Sequence, residues 1–455
     1  MSVKKYRIGE FLTRSKESVR INKADTYSLV TIKMYHKGVT KRSEVKGDAI
    51  KSSTLYKIKE GQFILSGIDA RNGAFGIVPK ELNGAVITND FWTHDINTSV
   101  IDIDFFYWFT TTPQFYQACI KASEGTTNRQ RLQAEKFYGF EVMLPSIDKQ
   151  KSWVNKFVSL KEKYDQLNKE LKQQQTYLQL LHKCILQKAV QGKLTEQNTT
   201  DEKAIDLLKR IKSEKECLVK AGKFKKEKDL PPITKEEIPF ELPKDWTWCR
   251  LGEICIKIGS GSTPRGGKDV YKSEGVKFIR SQNVYNEGLL FENVVYIDRV
   301  THEKMRATRV IDSDILLNIT GGSIGRCALV NEGFGEANVN QHVTIIRTVS
   351  LIVREYIHAL IISPYFQDYI MATQTGGNRE GLAKKNLELM LIPLPPIAEQ
   401  QRVIVKVKRL QQQLKVLEAQ VNQSLQYAQK LLQSVLIEVF VEREYLSNKL
   451  VSYQS

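Results

Sequence analysis

Two segments of this chain carry the same long amphipathic pattern, and neither can stand alone in water. "LPSIDKQKSWVNKFVSLKEKYDQLNKELKQQQTYLQLLHKCILQKAV" and "LPPIAEQQRVIVKVKRLQQQLKVLEAQVNQSLQYAQKLLQSVLIEVF" align without a gap, Pro145 on Pro395, an offset of 250 residues. Ile147 then falls on Ile397, Gln150 on Gln400, Tyr177 on Tyr427 and Leu186 on Leu436. Steps of four and three run through Trp153, Phe157, Leu160, Tyr164, Leu167, Leu171, Leu178, Leu181 and Ile185 in the first segment. In the second they run through Val403, Val407, Leu410, Leu414, Leu417, Val421, Ala428, Leu431 and Val435. One polar residue interrupts each series at the same place, Gln174 and Ser424. Such spacing lays one apolar stripe along a helix, the pattern of a coiled-coil seam. A helix of about 40 residues is roughly 60 Å long, and the shared register points to the two helices covering each other.

The stretches before the helices echo one another more faintly. "RIGEF" at 7–11 matches "RLGEI" at 250–254, and "GQFILSGIDARNGAFGIV" at 61–78 follows "SDILLNITGGSIGRCALV" at 313–330, with Gly73 on Gly325. "VITNDF" at 86–91 resembles "ANVNQHV" at 337–343, and "GTTNRQRL" at 125–132 resembles "GGNREGL" at 376–382. Short β-branched runs, turn glycines and helical pieces such as "PYFQDYIMATQ" predict a mixed α/β (α+β) globule twice over. The expected organisation is a globule over 1–145, a long helix over 146–191, a joint over 192–245, a second globule over 246–392, a second long helix over 393–445 and a tail over 446–455. The joint combines a short helix, "DEKAIDLLKRIKSEKECLVKAG", with lysine clusters and Pro231, Pro232, Pro239 and Pro243, a charged, extended connector.

The chain has 455 residues and a formal net charge of +17, enough length for two or three domains and a charge that favours a polyanionic partner. The basic excess is spread along the chain rather than gathered in a tail, which suits a surface lying along nucleic acid. The six cysteines form no CxxC pair and point to reduced thiols rather than a zinc site or a disulfide framework. The first residues lack a signal-peptide core, and no apolar run is long enough to span a membrane, so a cytoplasmic protein is expected.

"KIGSGSTPRGGKDV" at 257–270 imitates a phosphate cradle, but Gly267-Lys268 is followed by Asp269 instead of a hydroxyl, and Ser262 stands where the first glycine belongs. No HExxH and no GxSxG occurs. The carboxylates of "IDID" at 101–104 and "IDSD" at 311–314 lack the Glu-x-Lys of a metal nuclease and read as turn or strand-edge aspartates. No catalytic residue and no metal ligand set is assigned.

Recognition fits better than catalysis. Lysine and arginine can hold phosphates, while arginine on guanine and Asn/Gln on adenine read base edges. In the second globule the polar, glycine-flanked candidates are Thr263, Arg265, Arg280, Gln282, Asn283, Ser323, Arg326, Asn340, Gln341, Asn378 and Arg379. In the first they are Lys33, Tyr35, His36, Lys37, Arg71, Asn89, Asn128 and Arg129, with Asp69 and Asn72 beside them. A coiled-coil scaffold with nonspecific DNA affinity, or a self-contained methyltransferase or nuclease, are the competing readings.

"ILQKAVQGKL" at 185–194, "AIDLLKRIKSEK" at 204–215, "ELPKDWTWCRLGEI" at 241–254, "IPLPPIAEQQRVI" at 392–404, "GSGSTPRGG" at 259–267 and "NVNQHV" at 338–343 together resemble the DNA-specificity subunit of type I restriction-modification systems. The resemblance spans nearly the whole chain. It implies two target-recognition domains, each reading one half of a bipartite double-stranded DNA site, and antiparallel pairing of the long helices in a pseudo-two-fold repeat. It further implies two modification subunits that bring S-adenosylmethionine and methylate adenine, and restriction subunits that use ATP with Mg2+. The chain itself would need no cofactor. The first globule has no counterpart of "GSTP" near residue 18.

Overall fold

In the computed structural model, residues 3–52, 54–125, 130–222, 228–373 and 381–440 are described. Both repeated segments form single helices of 44 residues, Ile147–Val190 and Ile397–Phe440, whose ends keep the 250-residue offset. The chain divides into two compact units, one formed by residues up to 172 together with those from 422, the other by residues 173–421. The start of the first helix therefore belongs with the end of the second, and vice versa.

The first unit holds a four-stranded sheet in the order Leu12–Ser15, Phe91–Ile96, Phe63–Ser66, Phe75–Ile77. A five-stranded sheet runs Ser18–Arg20, Thr54–Lys57, Val86–Ile87, Thr26–Ile32, Val39–Lys46. Its core is aromatic: Phe63, Phe75, Phe106, Phe109 and Phe115 are fully buried and meet edge to face, as with Phe63 and Phe106 at 4.9 Å.

The second unit repeats the plan. Cys255–Ser260, Val343–Thr348, Ile315–Asn318 and Cys327–Leu329 form its four-stranded sheet, connected as in the first unit. A second sheet runs Val295–Ile297, Val276–Ile279, Ala337–Val339, Arg309–Val310. Helices Arg354–Ile361 and Pro364–Thr373 cover the apolar face, where Ile103–Thr110 and Pro113–Lys121 stand in the first unit.

The sequence echoes have structural causes. Arg7 and Arg250 each open a one-turn helix whose third residue, Glu10 or Glu253, accepts from the arginine's own backbone N–H. Gln150 and Gln400 are buried at the starts of the long helices. Gln150 accepts from Asp102 N at 2.8 Å and donates to Val100 O and Pro145 O; Gln400 accepts from Val353 N at 3.0 Å and donates to Pro395 O. Each glutamine thereby fastens a helix to its own globule. Gly73 and Gly325 both have positive φ, 74° and 84°, and a Cβ at either would press on Tyr116 or Gln367.

The stripe expected from the sequence is displaced on one side. Phe157, Val403 and Val407 are buried, and Trp153, Leu160 and Leu410 half-buried. Leu167, Leu181, Leu417 and Leu431 are exposed by 43% to 57%. The inward positions are Val154, Phe157, Lys161, Tyr164, Asn168, Leu171, Gln175, Leu178, His182 and Ile185, also spaced by three and four. From Lys161 on, every second inward position is thus a long or polar side chain whose stem can be covered while its head reaches water. The leucines lie one residue to the side.

The joint is not a free tether in its described part. Ala204, Leu207, Leu208 and Ile211 of helix Ala204–Lys220 are buried in the second unit's core. The buried Arg250 guanidinium donates to Pro231 O at 2.8 Å, Pro232 O at 3.2 Å, Leu389 O at 2.9 Å and the Glu237 carboxylate. Arg7, its counterpart, is exposed.

Candidate nucleic-acid interface

In the first unit the hairpin between Thr26–Ile32 and Val39–Lys46 turns over residues 33–38, closed by Lys33 N donating to Gly38 O at 2.9 Å. Tyr35 N donates to Asn72 O at 2.8 Å and His36 N to Gly73 O at 3.0 Å, so Lys33, Tyr35, His36 and Lys37 sit beside Arg71. Arg71 donates in turn to the Gln130 side chain. Arg131 pairs with Asp90 at 2.8 Å, next to the exposed Asn89, and Leu132 N donates to Gly67 O. These contacts form one chain, so four segments far apart in sequence share a face. His36 differs from its neighbours because its ring is half-buried against Phe75 and Tyr107, and burial lowers its pKa. Its Nε2 lies 2.8 Å from Thr110 Oγ1, whose proton goes to Tyr107 O at 2.6 Å; Nε2 therefore carries the hydrogen. His36 thus anchors the turn through Nε2.

In the second unit, Gly261 N donates to Val343 O at 2.9 Å and Ser262 N to Val339 O at 3.2 Å. A Cβ on Gly261 would overlap the carbonyl oxygens of Val339 and Asn340, so the glycine is required by close approach of two backbones. Thr263 donates to the Gln341 side chain, and Arg265 is exposed beyond it. The loop that imitates a phosphate cradle is thus clamped to the turn at 340–342. It leads into one 3-10 turn, Gly267–Val270, rather than a helix.

Asn318 joins the remaining loops. It is fully buried at the end of its strand, and Nδ2 donates to Ser281 O at 2.8 Å and Ser323 Oγ at 3.2 Å. Ile319 N donates to His342 O, and the Thr320 hydroxyl meets His342 Nδ1 at 2.6 Å. Gln282 is exposed on this face. Arg326 lies over the Tyr285 ring at 4.6 Å, and Arg280 over Tyr271 at 5.7 Å while donating to Asn293 O. Asn283 and Asn340 are buried and engaged: Asn283 caps Arg280 N at 3.0 Å and donates to Leu290 O, while Asn340 accepts from His342 N. Asn283 thus has both ends of its amide engaged, whereas Asn340 shapes its turn through Oδ1. Asn128, Arg129, Asn378 and Arg379 lie outside the described residues.

Equivalent loops carry the candidates in both units. The segment 67–74 follows Phe63–Ser66 as 319–326 follows Ile315–Asn318, and 88–90 precedes Phe91–Ile96 as 340–342 precedes Val343–Thr348. The residues in them differ. Sequence reasoning missed Asn318, His342, Gln130 and Arg131; "NIT" following an apolar strand gave no polar pattern to mark Asn318.

The aspartate pairs are structural. Asp102 caps a helix by accepting from Phe105 N at 3.0 Å, and the fully buried Asp314 holds Arg347 at 2.6 and 2.8 Å. Asp312 accepts from Gly333 N and Phe334 N. Among the described residues no group of three or more His, Cys, Asp or Glu side chains could hold a metal, and no helix is long and apolar enough to cross a membrane.

The family model described as the type I restriction modification DNA specificity domain matches residues 2–176 and 243–427, one match over each globule and the beginning of its helix. The EcoAI specificity subunit of Escherichia coli, a type I restriction enzyme subunit, is 33% identical over 235 residues, covering 50% of this chain and 39% of that protein. The EcoEI specificity subunit of the same species is 33% identical over 242 residues with the same coverage, so the match spans about two fifths of these relatives. The solved HsdS subunit of Thermoanaerobacter tengcongensis superposes with a TM-score of 0.60 at 18% identity, covering 97% of each chain. A chain from a structure on assembly and conformational transition of the type I R-M system gives 0.67 at 18% identity, covering 96% of this chain and 97% of that one. At that identity the two structures speak for the fold, which they share over nearly its full length. With two matched domains that together take in most of its residues, the chain belongs to the type I restriction-modification DNA specificity family.

Proposed function

We propose that this chain is the non-catalytic, sequence-specific DNA-binding subunit of a type I restriction-modification complex. Each globule reads one half of a bipartite double-stranded site. Two modification subunits that carry S-adenosylmethionine methylate adenine at the site so chosen, and restriction subunits driven by ATP with Mg2+ act on unmodified DNA. The carrying observation is that one framework presents different polar residues at equivalent loops: Asp69, Arg71 and Asn72 in one globule, Ser323 and Arg326 in the other. A shared framework with unlike loops is what two unlike half-sites require. Exposed Lys33, Lys37 and Arg265, with the half-buried Arg71, supply the phosphate and base contacts, and Arg280, Gln282, Arg326 and Gln341 complete the second reader.

The test is competition binding by the chain assembled with its modification subunit, using duplexes that carry the methylated motif or a scrambled one, at two salt concentrations. Specific reading predicts a preference of at least about a thousandfold that survives higher salt. Affinity that falls with salt and never distinguishes sequence would show a scaffold with nonspecific DNA affinity instead.

A further inference from the structure

We propose that Met34 and Tyr35 form an apolar wedge that enters the base stack and opens one base step in or beside the first half-site. The inference rests on the DNA-reading function proposed above and gives these two side chains a role other than hydrogen bonding to a base edge.

The turn "KMYHKG" at 33–38 places two consecutive non-glycine residues in the left-handed region, Tyr35 at φ 59° and His36 at φ 55°. Left-handed pairs in hairpins normally use Asn and Gly, because a β-carbon is strained there. The surroundings impose the conformation: the backbone N–H groups of both residues are held by Asn72 O and Gly73 O, and the His36 ring is held between Phe75, Tyr107 and Thr110. His36 points inward, and the two residues before it are left outside. Tyr35 is 70% exposed and Met34 44% exposed. Lys33 and Lys37 flank them in the open, and Arg71 stands on the loop that holds the turn.

A rigid, exposed aromatic and a thioether between two ammonium groups have the chemistry of a DNA wedge. The cations hold phosphates on either side while the apolar tip replaces a stacking neighbour. A tip serving only as a turn would fold with less strain as glycine, and it would leave less apolar surface in water.

The test uses the full chain assembled with its modification subunit, on duplexes of the methylated motif with 2-aminopurine at one position at a time. Wild type is expected to raise fluorescence at one step of the first half-site. Tyr35→Gly is expected to abolish that rise and weaken specific binding about tenfold, the size of one lost stacking contact. Tyr35→Trp should keep both. Because glycine relaxes the positive φ, the melting temperature should hold or rise, so lost binding cannot be ascribed to misfolding. A position opened by the modification partner would stay bright in Tyr35→Gly. Specific binding by wild type with no Tyr35-dependent signal, or a Tyr35→Gly chain that binds like wild type, overturns the wedge alone. If wild type shows no preference for the split motif over scrambled DNA, the reading function falls and the wedge falls with it.

Discussion

Gly261→Ala is the sharpest perturbation of the second reader. The added Cβ would overlap the carbonyl oxygens of Val339 and Asn340, and neither side can yield easily, since Gly261 N is bound to Val343 O and Ser262 N to Val339 O. Relief requires the 261–265 loop to lift off the 340–342 turn, breaking the Ser262 bond and parting Thr263 from Gln341. Overpacking costs about 1–3 kcal/mol and the lost Ser262 backbone bond about 1 kcal/mol, while the exposed Thr263–Gln341 pair can bond water instead and adds little. Together they make roughly 2–4 kcal/mol, or roughly 4–16 °C in melting temperature for a domain of this size. Gly259→Ala is the matched control: it sits two residues earlier, and a Cβ there meets nothing within 4 Å. It should change stability by less than about 0.5 kcal/mol. Thermal unfolding gives the first readout. The second is methylation by the assembled complex of duplexes with single changes in either half-site: discrimination should fall in the second half-site and persist in the first. If Gly261→Ala and Gly259→Ala melt together and discriminate equally, the clamp between these loops is not what shapes the reader.

Three further expectations follow from individual residues. His94 is buried with Nε2 2.8 Å from Tyr138 Oη, and burial lowers its pKa to about 4, against an unfolded value near 6.5. Between those values the unfolded chain binds the extra proton, so stability falls as pH drops from about 6.5 and levels off near 4, by up to about 3 kcal/mol; His94→Gln should flatten that part of a stability–pH curve. Cys119 and Cys327 are buried, their thiols pushed up by desolvation, whereas Cys184 and Cys217 are exposed. A thiol reagent should label the latter pair in the native chain and reach the former only on unfolding. Gln400→Leu leaves Val353 N without its acceptor and Gln150→Leu does the same to Asp102 N; each should cost about 1–3 kcal/mol, measurable by denaturant unfolding.

The repeat was legible because the same physical demands recur. A buried glutamine must satisfy the backbone where each long helix leaves its globule, so "LPxIxxQ" appears twice, and a positive φ at one turn calls for Gly73 and Gly325 alike. The side of the helix facing inward was less legible. Leu167, Leu181, Leu417 and Leu431 are the more apolar neighbours of the inward positions, and hydrophobicity alone moved the stripe onto them. Loops were legible as loops, yet Asn283 looks in sequence like a free base reader and in the fold serves the backbone around it. Whether an asparagine faces solvent depends on contacts with segments dozens of residues away, and Asn318, which ties Ser281 to Ser323, shows the same dependence from inside the core.

The central claim is that two readers each set one half of a DNA site. Its most direct test is a genome-wide map of adenine methylation in cells expressing this chain with its modification subunit, for wild type, Arg71→Ala and Arg265→Ala. The account predicts one split motif for wild type, none when the chain is expressed alone, and variants that relax opposite halves while leaving the other half intact. Methylation by the chain alone, or either variant altering both halves together, would contradict it.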